Sequence, residues 1–409
     1  MKKIILLVFF SSSLFSQIST KKIENWISKN NDLDGSVVSI SVKRIDKDKK
    51  IVGLGNDIYM TPASNAKILT VLGSINYGDS IPILNYKVYN DTLKISPTGY
   101  PLLSHPKYID KDLEKFLKKF KHIVYHIPKT DLDKYGPGWA WDDYNNYYQA
   151  ERSEMPIYGN VIQAVKKSNG DIEITPDTYK IVFDFEQKKQ IDRSETENYF
   201  SLNPSLFKSG DTIYSPFITS RKNTISLLEN TLGIKVEFNK EELKDYNVLN
   251  SGQVDDIYSA ILKDSDNLIS ESIAANISFR LNDTISVDKG VQLIKRLSKQ
   301  IELFDGSGLS RYNLVTPKSI ISSLHDIYNL IGFDRIKNIF PKNYIIQDKE
   351  DFVWGKTGTL KNNHNYSEYL ISDKNRIYIF SIMINHFTND LSKIKDAIVD
   401  FLIYLKSNS

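Results

Sequence analysis

The spacing of apolar positions changes several times along this chain, and each change marks an element. The opening run, "MKKIILLVFFSSSLFSQ", is a lysine pair, an unbroken apolar stretch too short to span a bilayer, and then small polar residues. It reads as a secretory signal peptide over residues 1–17, cleaved near Ser16 or Gln17. In "STKKIENWISKNNDL", Ile23, Trp26 and Ile27 share one helix face, with Ser19 or Thr20 available as a cap. β-Branched residues then crowd "GSVVSISVKRI" and "IVGLG" on either side of the polar turn "KDKK", which predicts two strands. The C-terminal end mirrors this order: "FVWGKTGTL" and "RIYIFSIMINHF" read as strands, and "LSKIKDAIVDFLIYLK" as a closing amphipathic helix. Strands from both ends of the chain are predicted to pair in one sheet, with the terminal helices covering a face.

Between these ends the pattern is different. Residues from about 90 to 245 carry short strand-like runs, such as "GDIEITPD", "YKIVFDFEQ" and "GIKVEFN", separated by polar turns. From about 251, "DDIYSAILKDSDNLISESIAANISFRLN" and "DKGVQLIKRLSKQIE" return to helical spacing, and after the loop "FDGSGLSRYNLVTP" another helix begins near Lys318. The organisation predicted is an α/β fold of the α+β kind: a first domain part over 18–89, inserted strand-rich material over 90–245, and a second part of the same domain over 246–409. The basic run "KDLEKFLKKFKHIVYH" reads as a solvated amphipathic helix face, with peripheral contact to anionic wall polymer or a membrane surface as the alternative.

Composition narrows the class. With 409 residues and 41% apolar content, the chain can bury substantial cores. Its 53 Lys and Arg against 50 Asp and Glu give a formal charge of +3, and loss of a leader carrying Lys2 and Lys3 leaves 3 − 2 = +1. That balance offers no nucleic-acid footprint. There is no cysteine, which excludes a lipidated leader cysteine, disulfide staples and thiolate chemistry. The six histidines are scattered, and His122 and His126 in "HIVYH" lack the internal Glu of a zinc helix, so no metal site and no cofactor are expected.

The candidate chemistry starts at "TPASNAKILTVLGS". Thr61 is placed to cap a helix, Pro62 suits its first position, and Ser64 and Lys67, close to one turn apart, emerge on one face. A serine there sits at the positive end of the helix dipole, and a desolvated lysine beside another cation becomes a base able to take the serine proton. The spacing alone distinguishes nothing, because Ser-x-x-Lys recurs at Ser19, Ser104, Ser205, Ser286 and Ser392. The company does: "SDN" at Ser265 to Asn267 opens a helical segment, and "KTG" at Lys356 to Gly358 lies in a strand-like run, in the order that penicillin-recognising serine enzymes require. Lys356 is expected to supply the second positive charge that depresses Lys67, and Gly358 to leave room for a substrate backbone alongside the strand.

With "GPGWAWDD" at Gly136 to Asp143 and "DGSGLSRYNLVTP" at Asp305 to Pro317, these motifs resemble those of the class C, low-molecular-mass penicillin-binding proteins, which are D-Ala-D-Ala carboxypeptidases and endopeptidases. The resemblance implies a penicillin-recognising transpeptidase or β-lactamase-like domain, an antiparallel sheet flanked by helices plus a helical subdomain, interrupted by two further domains. It implies Ser64 as the acylated nucleophile, Lys67 as its base and Ser265 as the proton relay. Asn267 would hold the substrate amide, Lys356 and Thr357 the terminal carboxylate, and Thr359 an oxyanion-hole N–H beside that of Ser64. Asp142 or Asp143 would read the stem-peptide side chain. The implied partners are peptidoglycan stem peptides and β-lactams as acylating inhibitors, and the implied compartment is the periplasm. One departure stands out: in "NYSEYL", Glu368 occupies a place where the family has Gly. A β-lactamase and a non-catalytic wall-binding scaffold of the same fold remain as rival readings.

Overall fold

A computed structural model describes residues 18–46, 50–342 and 352–408. The leader expected over 1–17 lies outside the described residues. Both ends of the chain meet in one sheet, in which Val353–Leu360, Asn363–Ile371, Ile377–Asn385, Val37–Arg44 and Val52–Leu54 follow one another as neighbours. Every pairing in it is antiparallel, and the first and last strands of the chain join as Val37 opposite Asn385 through Arg44 opposite Tyr378. Alternation along these strands then decides which residues face which layer.

One face carries Ile40, Val42, Val353, Leu370, Phe380 and Ile382, packed beneath the helices Thr20–Ser28 and Leu391–Asn408. Ser19 stands at the start of the first of these helices, but its side chain makes no capping hydrogen bond. The opposite face meets the helix Pro317–Ile339, which opens with Thr316 accepting from the Ser319 N–H. That helix packs with Ala66–Asn76, Val254–Leu262 and Asn267–Asn282 into a continuous apolar core. Ala66 through Ile75 are all buried, so this is a core helix rather than an amphipathic one.

The middle of the chain builds a second five-stranded sheet in the order Lys235–Asn239, His122–His126, Thr92–Pro97, Pro82–Tyr89 and Asn247–Asn250. Two three-stranded sheets follow within residues 161–216. The basic run is a seven-residue helix, Lys111–Leu117, capped by Asp110, and then the strand His122–His126. Among the described residues, no helix is long and apolar enough to cross a membrane.

Candidate active site

The segment that carries Ser64 is a 3-10 turn, Ala63–Asn65, running directly into the buried helix Ala66–Asn76. No side chain caps it. Thr61, expected as the cap, instead donates its backbone N–H to Asn385 Oδ1 at 2.8 Å, tying the turn to the terminal sheet. Asn365 Nδ2 donates to the carbonyls of Thr61 and Pro62 at 3.0 and 2.9 Å, and Asn65 Nδ2 to Ser367 Oγ at 2.7 Å. The sheet can approach this closely because of glycine: a Cβ at Gly358 would lie 2.5 Å from the Pro62 carbonyl and 3.0 Å from the Ser64 nitrogen. On the face of the sheet, the room left by Gly358 is taken by the turn that carries Ser64.

Lys67 follows one turn later and is fully buried. Its Nζ lies 3.2 Å from Ser64 Oγ, 2.6 Å from Asn267 Oδ1 and 2.6 Å from the Ser307 carbonyl. A neutral amine donates two hydrogens and accepts one; the two short contacts are to acceptors, and the longer one is to the only hydroxyl. The three contacts match the three hydrogens of an ammonium, and once one proton is lost the amine lone pair is within reach of Ser64 O–H. On the other side, Ser265 Oγ donates to Ser64 Oγ at 3.0 Å. Ser265 is held at φ 58°, a left-handed conformation that side chains other than glycine rarely adopt, in the loop before the helix Asn267–Asn282. Asp266 caps that helix by accepting from the Ile269 N–H.

Desolvation, the first of the two causes expected from the sequence, lowers Lys67. Burial brings Lys67 down to about 8, while the carboxylates of Asp305, Glu271 and Asp266 pull it back up. Lys356, 4% exposed, is lowered to about 7, first by burial and then by the charge of Lys67. The repulsion between the two ammonium groups is mutual, and burial is the first cause of the low value at both. Lys356 Nζ donates to the Thr357 carbonyl at 2.9 Å.

Ser64, Ser265, Asn267 and Thr359 line a cavity of about 1100 Å³ together with Asp143, Tyr148 and others, whereas Lys67, Lys356 and Thr357 are not among its lining residues. Asn267 Nδ2 donates to the Tyr148 carbonyl at 2.7 Å, and Thr359 Oγ1 bonds His364 Nδ1 at 2.7 Å. Of the two aspartates left open by the sequence, Asp143 lines the cavity and accepts from Tyr148 O–H at 2.7 Å, whereas Asp142 is exposed and is not part of the lining. Among the described residues, no group of three or more acidic or histidine side chains is arranged to hold a metal ion.

Several contributors escaped the sequence reading. His105 places Nε2 3.5 Å from Asp266 Oδ2, while its Nδ1 accepts from the Lys107 and Tyr108 N–H groups, so the neutral ring carries its proton toward Asp266. Burial pushes the Asp266 carboxyl up, but His105, the Ile269 N–H and the charge of Lys67 together hold it below its ordinary value. Asn65, Asn365 and Asn385 were missed as well. What the three share is burial of an amide, which the sequence around them does not reveal.

A family model described as the D-Ala-D-Ala carboxypeptidase 3 (S13) family matches residues 230–405. The D-alanyl-D-alanine carboxypeptidase DacB of Haemophilus influenzae is 23% identical over 96% of this chain and 94% of its own length. The crystal structure of penicillin binding protein 4 (dacB) from the same organism superposes with a TM-score of 0.71 at 19% identity, covering 94% of this chain and 99% of that one. A predatory peptidoglycan endopeptidase from Bdellovibrio bacteriovorus, Bd3459, superposes with a TM-score of 0.53 at 13% identity over 91% of this chain and 92% of that one. The fold is the mixed α/β fold of these penicillin-recognising proteins.

Proposed function

We propose that the chain is a low-molecular-mass class C penicillin-binding protein, a serine-type D-Ala-D-Ala carboxypeptidase acting on peptidoglycan through an acyl-enzyme on Ser64; the S13 family match over residues 230–405, the similarity to DacB along most of the chain and the shared fold support this reading. Lys67 takes the Ser64 proton as Oγ attacks the carbonyl of the penultimate D-Ala, and Ser265 passes a proton to the departing amine. Water then cleaves the ester and restores Ser64. The N–H groups of Ser64 and Thr359 receive the oxyanion. Lys356 and Thr357 hold the terminal carboxylate, Asn267 the substrate amide, and Asp143, rather than Asp142, the stem-peptide side chain. A cross-linked D-Ala amide fits the same chemistry, which adds DD-endopeptidase activity. β-Lactams would acylate Ser64 in the same way.

The observation that carries this reading is the pair of contacts on Ser64 Oγ, Lys67 at 3.2 Å and Ser265 at 3.0 Å. The strand-rich interval 90–245 is assigned to the inserted domains, with Pro82–Tyr89 and Asn247–Asn250 closing their first sheet at the joins. The compartment proposed is the periplasm, with residues 1–17 as the export signal. The test is labelling with a fluorescent penicillin followed by peptide mapping, with D-Ala release from a pentapeptide as the companion assay. Ser64→Ala should abolish the adduct and cut D-Ala release by at least ~10³-fold. A stable adduct on any other residue would overturn the assignment.

A further inference from the structure

Two sequence motifs, apart from Asp143 of the first, have been given no part in the chemistry, yet they meet each other at the loop whose Ser307 carbonyl contacts Lys67. From the first, Pro137 accepts from Ser310 Oγ at 2.6 Å, and Trp139 Nε1 donates to Asp305 Oδ2 at 2.9 Å. Within the second, Asp305 Oδ1 accepts from the Gly308 N–H and Asn313 Nδ2 at 2.9 and 2.7 Å, closing the loop on itself. The loop's other anchor is Glu271, one turn into the helix that Asp266 caps. Its Oε1 accepts from the N–H groups of Gly306 and Ser307 at 3.0 and 2.7 Å, and its Oε2 from Arg152 Nε and Nη2 at 3.0 and 2.6 Å. The Gly306 carbonyl is held by the Thr70 and Ser270 hydroxyls, which leaves the Ser307 carbonyl as the group that meets Lys67 Nζ.

Arg152 and Glu271 are almost completely buried, and Arg152 also lies over the Trp139 ring at 4.8 Å. A buried ion pair is a poor way to gain stability, since desolvation of both charges offsets their attraction. This one sits a single peptide away from the base. We propose that Glu271, clamped by Arg152, is a positioning residue for acyl transfer: it presents the Ser307 carbonyl to Lys67 and supplies part of the charge field in which Lys67 exchanges its proton. The inference rests on the reading of Lys67 as the base.

The charged groups facing Lys67 are Asp305, Glu271 and Asp266, the last engaged by His105, with Lys356 on the sheet side. The three carboxylates raise Lys67 against its burial, so neutralising Glu271 lowers it. Acylation needs neutral Lys67, and its acid limb should therefore move to lower pH.

The experiment measures the rate constant for acylation by a fluorescent penicillin from about pH 5 to about pH 10. It compares the wild type, Glu271→Gln, and the double variant Arg152→Gln with Glu271→Gln, each checked by circular dichroism. In Glu271→Gln the amide meets Arg152 donor to donor, so the plateau should fall about 10- to 100-fold and the limb should shift down. In the double variant, two neutral amides restore the hydrogen bonds, so most of the plateau should return while the limb stays low. If the single variant does not fold, the double variant carries the same test. A limb unmoved in the folded variants overturns the proposal, as does loss of folding in both, which would make the network a support of the fold. Absence of a Ser64 adduct in the wild type would instead refute the acyl-enzyme reading.

Discussion

The two faces of the terminal sheet come from the same strands and are built from opposite materials. Toward the terminal helices, alternate residues form an apolar layer in which the rings of Trp26 and Phe401 meet at 4.8 Å. Toward the nucleophile turn, the intervening residues include Lys356, Asn365, Ser367, Ser381 and Asn385, all just as buried. Burying apolar surface needs only shape and is nondirectional. Burying amides and hydroxyls demands a matched partner for each, at a cost of roughly 1–3 kcal/mol when one is missing. The first face therefore contributes mainly stability, and the second, beside the apolar core that Trp354, Tyr369, Ile379 and Met383 join, fixes one turn of chain, that of Ser64, in one place.

The largest effect separating the faces is expected from Phe401→Ala. It removes a fully buried ring from the apolar layer and should cost about 3–5 kcal/mol of stability. Urea unfolding measures the loss, and penicillin labelling per folded molecule should be unchanged. A matching fall in labelling would mean that the helix side also positions the nucleophile.

Ser367→Val acts on the other face. It strips a hydroxyl that accepts from Asn65 Nδ2 at 2.7 Å and lies 2.9 Å from Ser381 Oγ. The stability cost should be smaller, about 1–3 kcal/mol, but labelling per folded molecule should drop, because Asn65 adjoins Ser64. Unfolding and labelling measured on the same sample would show whether the two quantities part in this direction.

This division explains what was legible in the sequence. The strands, the terminal helices, and the joining of the two ends follow from apolar alternation, which the helix-facing layer imposes. Ser64, Lys67, "SDN" and "KTG" could be placed because the chemistry requires those residue types in that order. Asn65, Asn365 and Asn385 could not, since their partners, a serine hydroxyl for the first and backbone groups for the others, lie hundreds of positions away and an asparagine carries no mark of its partner. Desolvation of Lys67 was expected, but the carboxylates that oppose it were not, because Glu271 and Asp305 come beside Lys67 only through the loop after residue 304 that packs against its helix. Gly358 was recognised as a close approach, but which chain approaches is decided by the tertiary structure.

Glu368 breaks the division between the faces. It is fully buried on the helix side, opposite Gly355, where a Cβ would lie only 2.2 Å from Glu368 Cγ. Its carboxylate reaches across the sheet electrically: Lys356, lowered by burial and by Lys67, is pulled back up by Glu368. Glu368→Gln should therefore lower Lys356 below its present value of about 7. Lys356 holds a carboxylate only while charged; the charge is present below its pKa and lost as pH rises through it. The rise in KM for D-Ala release with increasing pH should thus begin at a lower pH in Glu368→Gln, with kcat on the plateau unchanged. The effect should be the smallest of the three, under about 1 kcal/mol or fivefold in KM. An unmoved KM profile would leave the two faces electrically independent, and Glu368 would then act only as the volume that fills the space over Gly355.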